Sequence, residues 1–160
     1  MTGPSPSRLP LYCTSIDWHS FLADYPPPDV FAETVFKWPA ERIRELQNRR
    51  FLEIMDFAWQ NDFYRRLWGG AGIEPGDIRG LDDIVKLPTF NSDDIKENQQ
   101  RHPPFGTITG LERREALAHT PLKMQTSGGT TGKPRPTMYG PREWEMNGLQ
   151  IARSLYLQGA

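Results

Sequence analysis

Residues 124–135 read MQTSGGTTGKPR, and no other stretch of the chain says as much about its fold. Residues 127–133 are all Ser, Gly, Thr or Lys, so this run has no apolar side chain to bury in a core. Glycine lets the backbone approach a ligand closely, and successive backbone N–H groups can converge on phosphate oxygens. We therefore predict an anion-binding loop. Its donors are the backbone N–H groups of Gly128, Gly129 and Gly132, the hydroxyls of Ser127, Thr130 and Thr131, and the Lys133 ammonium.

The loop differs from the common phosphate loop of P-loop NTPases. That motif requires G-x-x-x-x-G-K followed by Ser or Thr, whose hydroxyl binds magnesium. Here Gly132 and Lys133 are followed by Pro134, which has no hydroxyl, and Ser127 stands where the first glycine would be. A P-loop NTPase is therefore disfavoured on two counts.

Two strand-like segments, residues 122–126 and 135–139, flank the glycines. Pro134 and Pro136 interrupt the second segment and restrict it to a sheet edge or a bulge. A flexible Gly/Ser/Thr linker is the alternative interpretation of this composition. It is disfavoured because linkers rarely place Lys-Pro-Arg directly after the glycines or lie between two strands.

Helices are predicted on both sides of the loop. Pro141 begins a helix that runs to about residue 157, and its Gly148 and Ala152 would allow a neighbour to approach closely. Further helices are predicted over residues 62–68, from Asp82 to Pro88, and after Asn91 as an N-cap. The helix that begins at Pro39 has an apolar face formed by Ile43, Leu46, Arg50, Phe51, Ile54, Phe57 and Ala58, and the Pro141 helix has one formed by Trp144, Gly148, Ile151, Ala152 and Leu155.

The first forty residues look different from the rest. Residues 1–16 read as loose chain, Asp17 caps a short helix over residues 17–22, and residues 26–28 form a stiff extended spacer of three prolines. We expect four aromatic side chains to pack this arm onto the body: Trp18, Phe21, Phe31 and Phe36.

Composition excludes several functions. The net charge is −1 and acidic residues are interleaved with the arginine pairs at 49–50 and 65–66, so we expect no nucleic-acid partner. Cys13 is the only cysteine and the three histidines are scattered, so we expect no metal site. No apolar run approaches 18 residues and the first residues lack a secretory pattern, so we expect no membrane and a cytoplasmic location.

Residues 127–135, SGGTTGKPR, resemble the AMP-binding signature of the adenylate-forming superfamily, which includes acyl-CoA synthetases, luciferases and peptide-synthetase adenylation domains. Gly128 departs from that signature, because many members have Ser or Thr there. Residues 61–98 are similar to the N-terminal region of phenylacetate–CoA ligases, and Pro104-Phe105-Gly106 also looks familial. The resemblance covers roughly residues 41–160 and leaves residues 1–40 unmatched.

The resemblance implies ATP-dependent activation of a carboxylic acid through an acyl-adenylate to a CoA thioester. The acid would be an aryl or arylacetic acid such as phenylacetate. ATP with Mg²⁺ would be the nucleotide substrate, coenzyme A the co-substrate, and the loop would hold the ATP phosphates. The catalytic lysine of the family lies beyond this chain. We therefore expect an N-terminal fragment that is inactive alone and needs the missing C-terminal part of the enzyme as its partner.

The predicted fold class is α/β with an α-rich first part. We expect an irregular arm over residues 1–38, a helical region over residues 39–118, and the start of the AMP-binding α/β domain, with its phosphate loop, over residues 119–160. Two other hypotheses stay open. One is a non-catalytic helical interaction module with a vestigial nucleotide loop, and the other is a different kind of nucleotide-binding protein that uses the loop as an anion nest.

Overall fold

A computed structural model describes residues 11–110, 121–126 and 136–159. These residues form two compact units. The first unit comprises residues 11–37, 121–126 and 136–159, and the second comprises residues 38–110. The elements in chain order are α1 (Leu11–Thr14), α2 (Trp18–Asp24), α3 (Pro28–Glu33), a 3₁₀ turn (Val35–Lys37), α4 (Ala40–Trp59), α5 (Asp62–Gly70), a second 3₁₀ turn (Leu81–Lys86), α6 (Ser92–Arg101), β1 (Lys123–Thr126), β2 (Pro136–Tyr139) and α7 (Pro141–Leu157).

The core of the second unit lies between α4, α5 and the segment that follows them. Met55, Ala58, Trp68 and Ile78 are buried there, and the rings of Trp59 and Trp68 meet edge to face with centroids 5.0 Å apart. Partly buried apolar side chains surround this cluster. Such aromatic pairs add about 0.5–1.5 kcal/mol to the stabilisation from burial itself.

The predicted apolar face of α4 is partly wrong. Ile54 is 64% exposed and Phe57 is 55% exposed, whereas Met55, which the prediction omitted, is buried. The buried stripe runs through Phe51, Met55 and Ala58, at intervals of four and three residues. Because α4 is covered along one narrow stripe, its neighbouring apolar residues point to solvent.

Helix ends in the second unit follow local chemistry. The Asn91 side chain accepts bonds from the N–H groups of Asp93 and Asp94, and the Asp94 carboxylate accepts one from the N–H of Asn91, which completes a capping box at the start of α6. The predicted cap is thus confirmed. The short helix expected after Asp82 is a 3₁₀ turn, and α5 continues to Gly70, two residues beyond the predicted end.

Two buried asparagines fasten the chain that follows α6. Asn98 donates to the Thr107 hydroxyl (3.0 Å) and accepts from the Thr107 N–H (2.8 Å). Asn61 is fully buried and donates to the carbonyl of Ile108 (3.2 Å). Gly106, which directly precedes Thr107, has a φ of +73°, a conformation in which a side chain is strained. These side-chain bonds hold residues 106–108 in place.

The predicted irregular arm contains helices where it is described. Asp17 caps α2 as predicted, but α2 extends to Asp24. Pro28 is the first residue of α3 rather than part of an extended spacer, because proline suits the first helical turn, where no N–H partner is needed. Phe21 is buried as expected of an anchor, whereas Trp18 and Phe36 are exposed. Residues 1–10 lie outside the described residues.

Candidate functional site

The predicted phosphate-binding residues belong to the segment that joins β1 to β2. That segment, residues 127–135, lies outside the described residues, as do residues 111–120. The predictions that fall on it concern Ser127, Gly128, Gly129, Thr130, Thr131, Gly132 and Lys133. The structure describes what lies on either side: two strands, the helix that follows them and the segments packed against that helix.

The two predicted strands are confirmed, and the structure pairs them antiparallel. Lys123 lies opposite Tyr139, and Thr126 lies opposite Pro136 at the end nearest the glycines. Opposite Cα atoms in such a pair are about 5 Å apart. The chain therefore leaves the sheet at Thr126 and returns to it at Pro136 almost at the same place.

Helix α7 begins directly after β2. Gly140 precedes it as N-cap without a side-chain bond, and Pro141 occupies the first helical position. The predicted bounds, Pro141 to about residue 157, are confirmed. A strand that turns within one residue into a helix places the first turn of the helix beside the end of the strand. In this case that end is the one remote from Thr126 and Pro136.

One aromatic ring in the first turns of α7 contacts both strands. The Lys123 ammonium lies 3.4 Å from the centroid of the Trp144 ring, and the Tyr139 ring meets the same ring edge to face at 5.8 Å. Because Lys123 and Tyr139 are opposite each other in the ladder, Trp144 spans the pair. Sequence reasoning placed Trp144 only on an apolar helix face. The signal it did not use is that only one residue separates the strand-like segment 135–139 from the helix at Pro141.

Helix α7 is fastened on another side by the N-terminal segment. Arg142 donates to the Asp24 carboxylate (2.8 Å), and this bond raises the pKa of the guanidinium. Arg153 donates to the carbonyl of Pro26 (3.1 Å), and its guanidinium carbon lies 4.3 Å from the centroid of the Phe31 ring. The segment that holds α2 and α3 therefore fixes α7 in the first unit.

Part of the predicted apolar face of α7 is open. Ile151 is 62% exposed and Leu155 is 50% exposed. A Cβ added at Gly148 would meet no atom within 4 Å, so the close approach predicted at this residue is absent from the part of the chain that is described. All four residues of β1 are exposed as well. The apolar stripe and strand β1 thus form surfaces that the described residues leave uncovered.

The second unit contains a shallow cavity of about 220 Å³. Phe63, Leu67 and charged side chains of both signs line it, and Arg101 pairs there with Glu97 (2.5 Å). Within the described ranges, no group of three or more His, Cys, Asp or Glu side chains is arranged to hold a metal ion. None of the helices described is both long and apolar enough to cross a bilayer. The hairpin with its connecting segment remains the candidate site.

Curated relatives of the chain are named phenylacetate-coenzyme A ligase. The protein from Thermus thermophilus is 32% identical over 123 residues, a match that covers 76% of this chain and 25% of the relative. Those from Aromatoleum evansii and Escherichia coli are 28% and 30% identical, over 79% and 74% of this chain and 27% and 25% of their own lengths. No protein-family model matches. The chain thus spans about a quarter of the length of the curated relatives it matches.

Solved structures of a 2-hydroxyisobutyryl-CoA ligase in the postadenylation state have the same fold over the matched part. The complex with 2-HIB-AMP has a TM-score of 0.54 and is 27% identical, over 66% of this chain and 21% of the solved chain. The complex with R3-HIB-AMP has a TM-score of 0.63 and is 25% identical, over 76% of this chain and 24% of the solved chain. The predicted resemblance and fold class are confirmed: the chain is homologous to phenylacetate–CoA ligases and matches about a quarter of the fold of an adenylate-forming CoA ligase.

Proposed function

We propose that this chain contributes the phosphate-binding loop to an enzyme that activates a carboxylic acid with ATP and transfers the acyl group to coenzyme A. One observation carries the proposal. The run SGGTTGK is joined to two strands whose ends, Thr126 and Pro136, are paired. A Gly/Ser/Thr/Lys run with no apolar side chain to bury therefore starts and ends at paired strand ends, in a chain related to CoA ligases.

The reaction proceeds in two displacements. A carboxylate oxygen attacks the α-phosphorus of ATP, the bond from that phosphorus to the bridging oxygen breaks, and pyrophosphate leaves with its Mg²⁺. The sulfur of coenzyme A then attacks the acyl carbon, its proton is lost, and AMP departs as the acyl–oxygen bond breaks. In the first displacement negative charge develops on the departing pyrophosphate, and fixed donors aimed at that charge lower the barrier.

The loop residues would supply those donors. Backbone N–H groups of Gly128, Gly129 and Gly132 would form the cradle, Lys133 would add a point charge, and the hydroxyls of Ser127, Thr130 and Thr131 would add further bonds. Glycine at position 128 lacks the hydroxyl that many relatives carry but keeps the backbone donor. We propose no catalytic residue of this chain for the thioester step.

The acid we propose is an aryl or arylacetic acid such as phenylacetate. The support is the name shared by the curated relatives, all phenylacetate-coenzyme A ligases. The structural neighbours are instead named for a small hydroxy acid, 2-hydroxyisobutyrate. A panel of acids with and without an aromatic ring therefore tests this part separately from the chemistry.

We further propose that the rest of a ligase fold is the partner of the first unit. The relatives are about four times as long as the match, and β1 and the Ile151–Leu155 side of α7 present exposed surface of the kind that further chain would cover. A two-stranded ribbon is at best marginally stable alone, which favours additional packing on this hairpin. We expect the first 160 residues alone to catalyse no adenylation.

The test is a chimera in which this chain replaces the matching quarter of the Thermus thermophilus relative. We expect acid-dependent exchange of pyrophosphate into ATP, and about a hundredfold loss of that exchange in Lys133→Ala, the scale of removing one donor to developing charge. Thioester formation from preformed acyl-adenylate should fall much less. Lys86→Ala is the matched control, because Lys86 lies in the second unit and pairs with Asp83 at the surface (2.8 Å).

Equal losses in the two half-reactions of Lys133→Ala would contradict a role on pyrophosphate. A folded chimera that exchanges no pyrophosphate with any acid would count against the ligase proposal itself and favour the non-catalytic helical module. Robust exchange by the 160 residues alone would contradict the need for the rest of the enzyme.

A further inference from the structure

Trp144 on α7 lies against both strands of the hairpin. Lys123 from β1 places its ammonium 3.4 Å from the ring centroid, and Tyr139 from β2 places its ring at 5.8 Å with an interplanar angle of 73°. The two contacts use different properties of one indole. The cation is attracted to the electron-rich face, and the tyrosine ring takes an edge-to-face geometry.

The hairpin needs such contacts to have a defined direction. Its ladder has only four residue pairs, and every residue of β1 is exposed. Backbone hydrogen bonds keep the two strands together, but they do not fix the orientation of the hairpin relative to the rest of the first unit. Trp144 is half-buried and connects α7 to both strands, because its ring contacts Lys123 and Tyr139, which lie opposite each other in the ladder.

We infer that Trp144 is a positioning residue for the phosphate loop: it holds the base of the hairpin against the first turns of α7, and so fixes the place of Thr126 and Pro136, the two strand ends to which the loop is joined. The inference rests on the proposed function, because the object that is positioned is the loop that would bind pyrophosphate. Electrostatic stabilisation of a leaving group depends on donors held in place before the reaction, so a loosened base weakens it.

Helix α7 is itself held in place by contacts with the N-terminal segment. Arg142, two residues before Trp144, bonds to Asp24, and Arg153 bonds to the carbonyl of Pro26. The ring therefore projects from a fastened helix rather than from a free one. A positioning role requires this, since a ring on a mobile helix could not define the direction of the hairpin.

The ring-specific role is separated from ordinary packing by two substitutions in the 160-residue chain. Trp144→Leu keeps apolar bulk but removes the aromatic face, whereas Trp144→Phe keeps a face and an edge. We expect amide exchange in both strands to become faster on the order of tenfold in Trp144→Leu and to return to within about threefold of wild type in Trp144→Phe. Lys123→Met, which keeps the aliphatic stem, should speed exchange in the hairpin without altering α7.

Trp38→Leu is the matched control. Trp38 is also half-buried and also receives a cation, with the Arg42 guanidinium carbon 3.8 Å from its ring centroid, but it lies in the second unit. It should leave hairpin exchange unchanged. Exchange in the hairpin that is the same in wild type, Trp144→Leu and Lys123→Met overturns the inference. If Trp144→Leu does not fold, Lys123→Met alone decides by the same criterion.

Binding of inorganic pyrophosphate, followed by ³¹P NMR, links the ring to the site. Weaker binding on the order of tenfold in Trp144→Leu, with recovery in Trp144→Phe, supports the positioning role. Unchanged binding in Trp144→Leu beside lost binding in Lys133→Ala overturns the positioning role and leaves the proposed function standing. Absence of binding by the wild-type chain overturns the phosphate role of the loop, and the positioning of a phosphate site falls with it, whatever the exchange data show.

Discussion

Replacement of Asn98 by alanine should be among the most destabilising single changes in the second unit. Asn98 is 7% exposed, and its amide both donates to the Thr107 hydroxyl and accepts from the Thr107 N–H. Alanine removes both bonds, and the N–H and hydroxyl of a residue that is itself buried lose their partner. The helix bond from the N–H of His102 to the Asn98 carbonyl stays. The loss is therefore confined to the side chain.

The magnitude follows from the two groups left behind. A buried donor or acceptor without a partner costs about 1–3 kcal/mol, and Thr107 presents one backbone and one side-chain group. Alanine returns about 0.5 kcal/mol through its higher helix propensity. We expect a net decrease of about 1.5–5.5 kcal/mol in the free energy of unfolding. Urea unfolding followed by tryptophan fluorescence measures it, because Trp59 and Trp68 lie in the core of the same unit.

Gln100→Ala provides the control in the same helix. Gln100 is exposed, so its replacement should change the free energy of unfolding by no more than about 0.5 kcal/mol. If Asn98→Ala were no more destabilising than Gln100→Ala, the bonds to Thr107 would not hold residues 106–108 and the reasoning would be refuted.

Two further substitutions test the packing of each unit. Gly106→Ala should destabilise the second unit by more than about 1 kcal/mol in urea unfolding, because φ is +73° and the added Cβ would overlap the hydrogen-bonded Asn98 Oδ1. Gly69→Ala is the control and should be neutral or slightly stabilising, because a Cβ there would meet no atom within 4 Å. Equal effects of the two substitutions on the free energy of unfolding would refute this prediction. Arg153→Ala removes the bonds to the Pro26 carbonyl and should make limited proteolysis of residues 11–37 faster. Arg142→Lys is the control, because it retains a positive charge beside Asp24 and should leave the cleavage rate unchanged. Identical cleavage of the two variants would show that Arg153 does not hold this segment on α7.

Three helix starts were the part of the fold that sequence patterns predicted well. Asp17, Asn91 and Pro141 mark helix starts by chemistry that needs no distant partner, since a short polar side chain satisfies free N–H groups and proline suits the first turn. The two strands were also predictable, because the glycine run between them could not be built into either one. Pro28 shows the limit of the same rules. A proline run is compatible with an extended spacer and with a helix start, and only the packing of α3 on α7 selects the second.

The choice of buried face was the part that failed, and for a tertiary reason. Periodicity on α4 marks an apolar arc that includes Ile54 and Phe57, but the elements packed on it cover only the stripe through Met55 and Ala58. Periodicity cannot say how wide the covering surface is. The same limit applies to α7, where Gly148 suggested a close neighbour and none is present within the described residues.

In the candidate site, the loop could be predicted from composition, whereas Trp144 could be found only from its position in the structure. The loop stands out in the sequence because its residue types could not form a core, and its phosphate-binding role stays a prediction. Trp144 carries no such mark, since a tryptophan on an amphipathic helix is ordinary packing by itself. It acquires a role only when the ladder sets Lys123 opposite Tyr139 and a one-residue turn brings α7 beside that pair. Residues that bind a ligand can be predicted from their chemistry, whereas residues that position the binding residues have to be found from strand register and side-chain contacts.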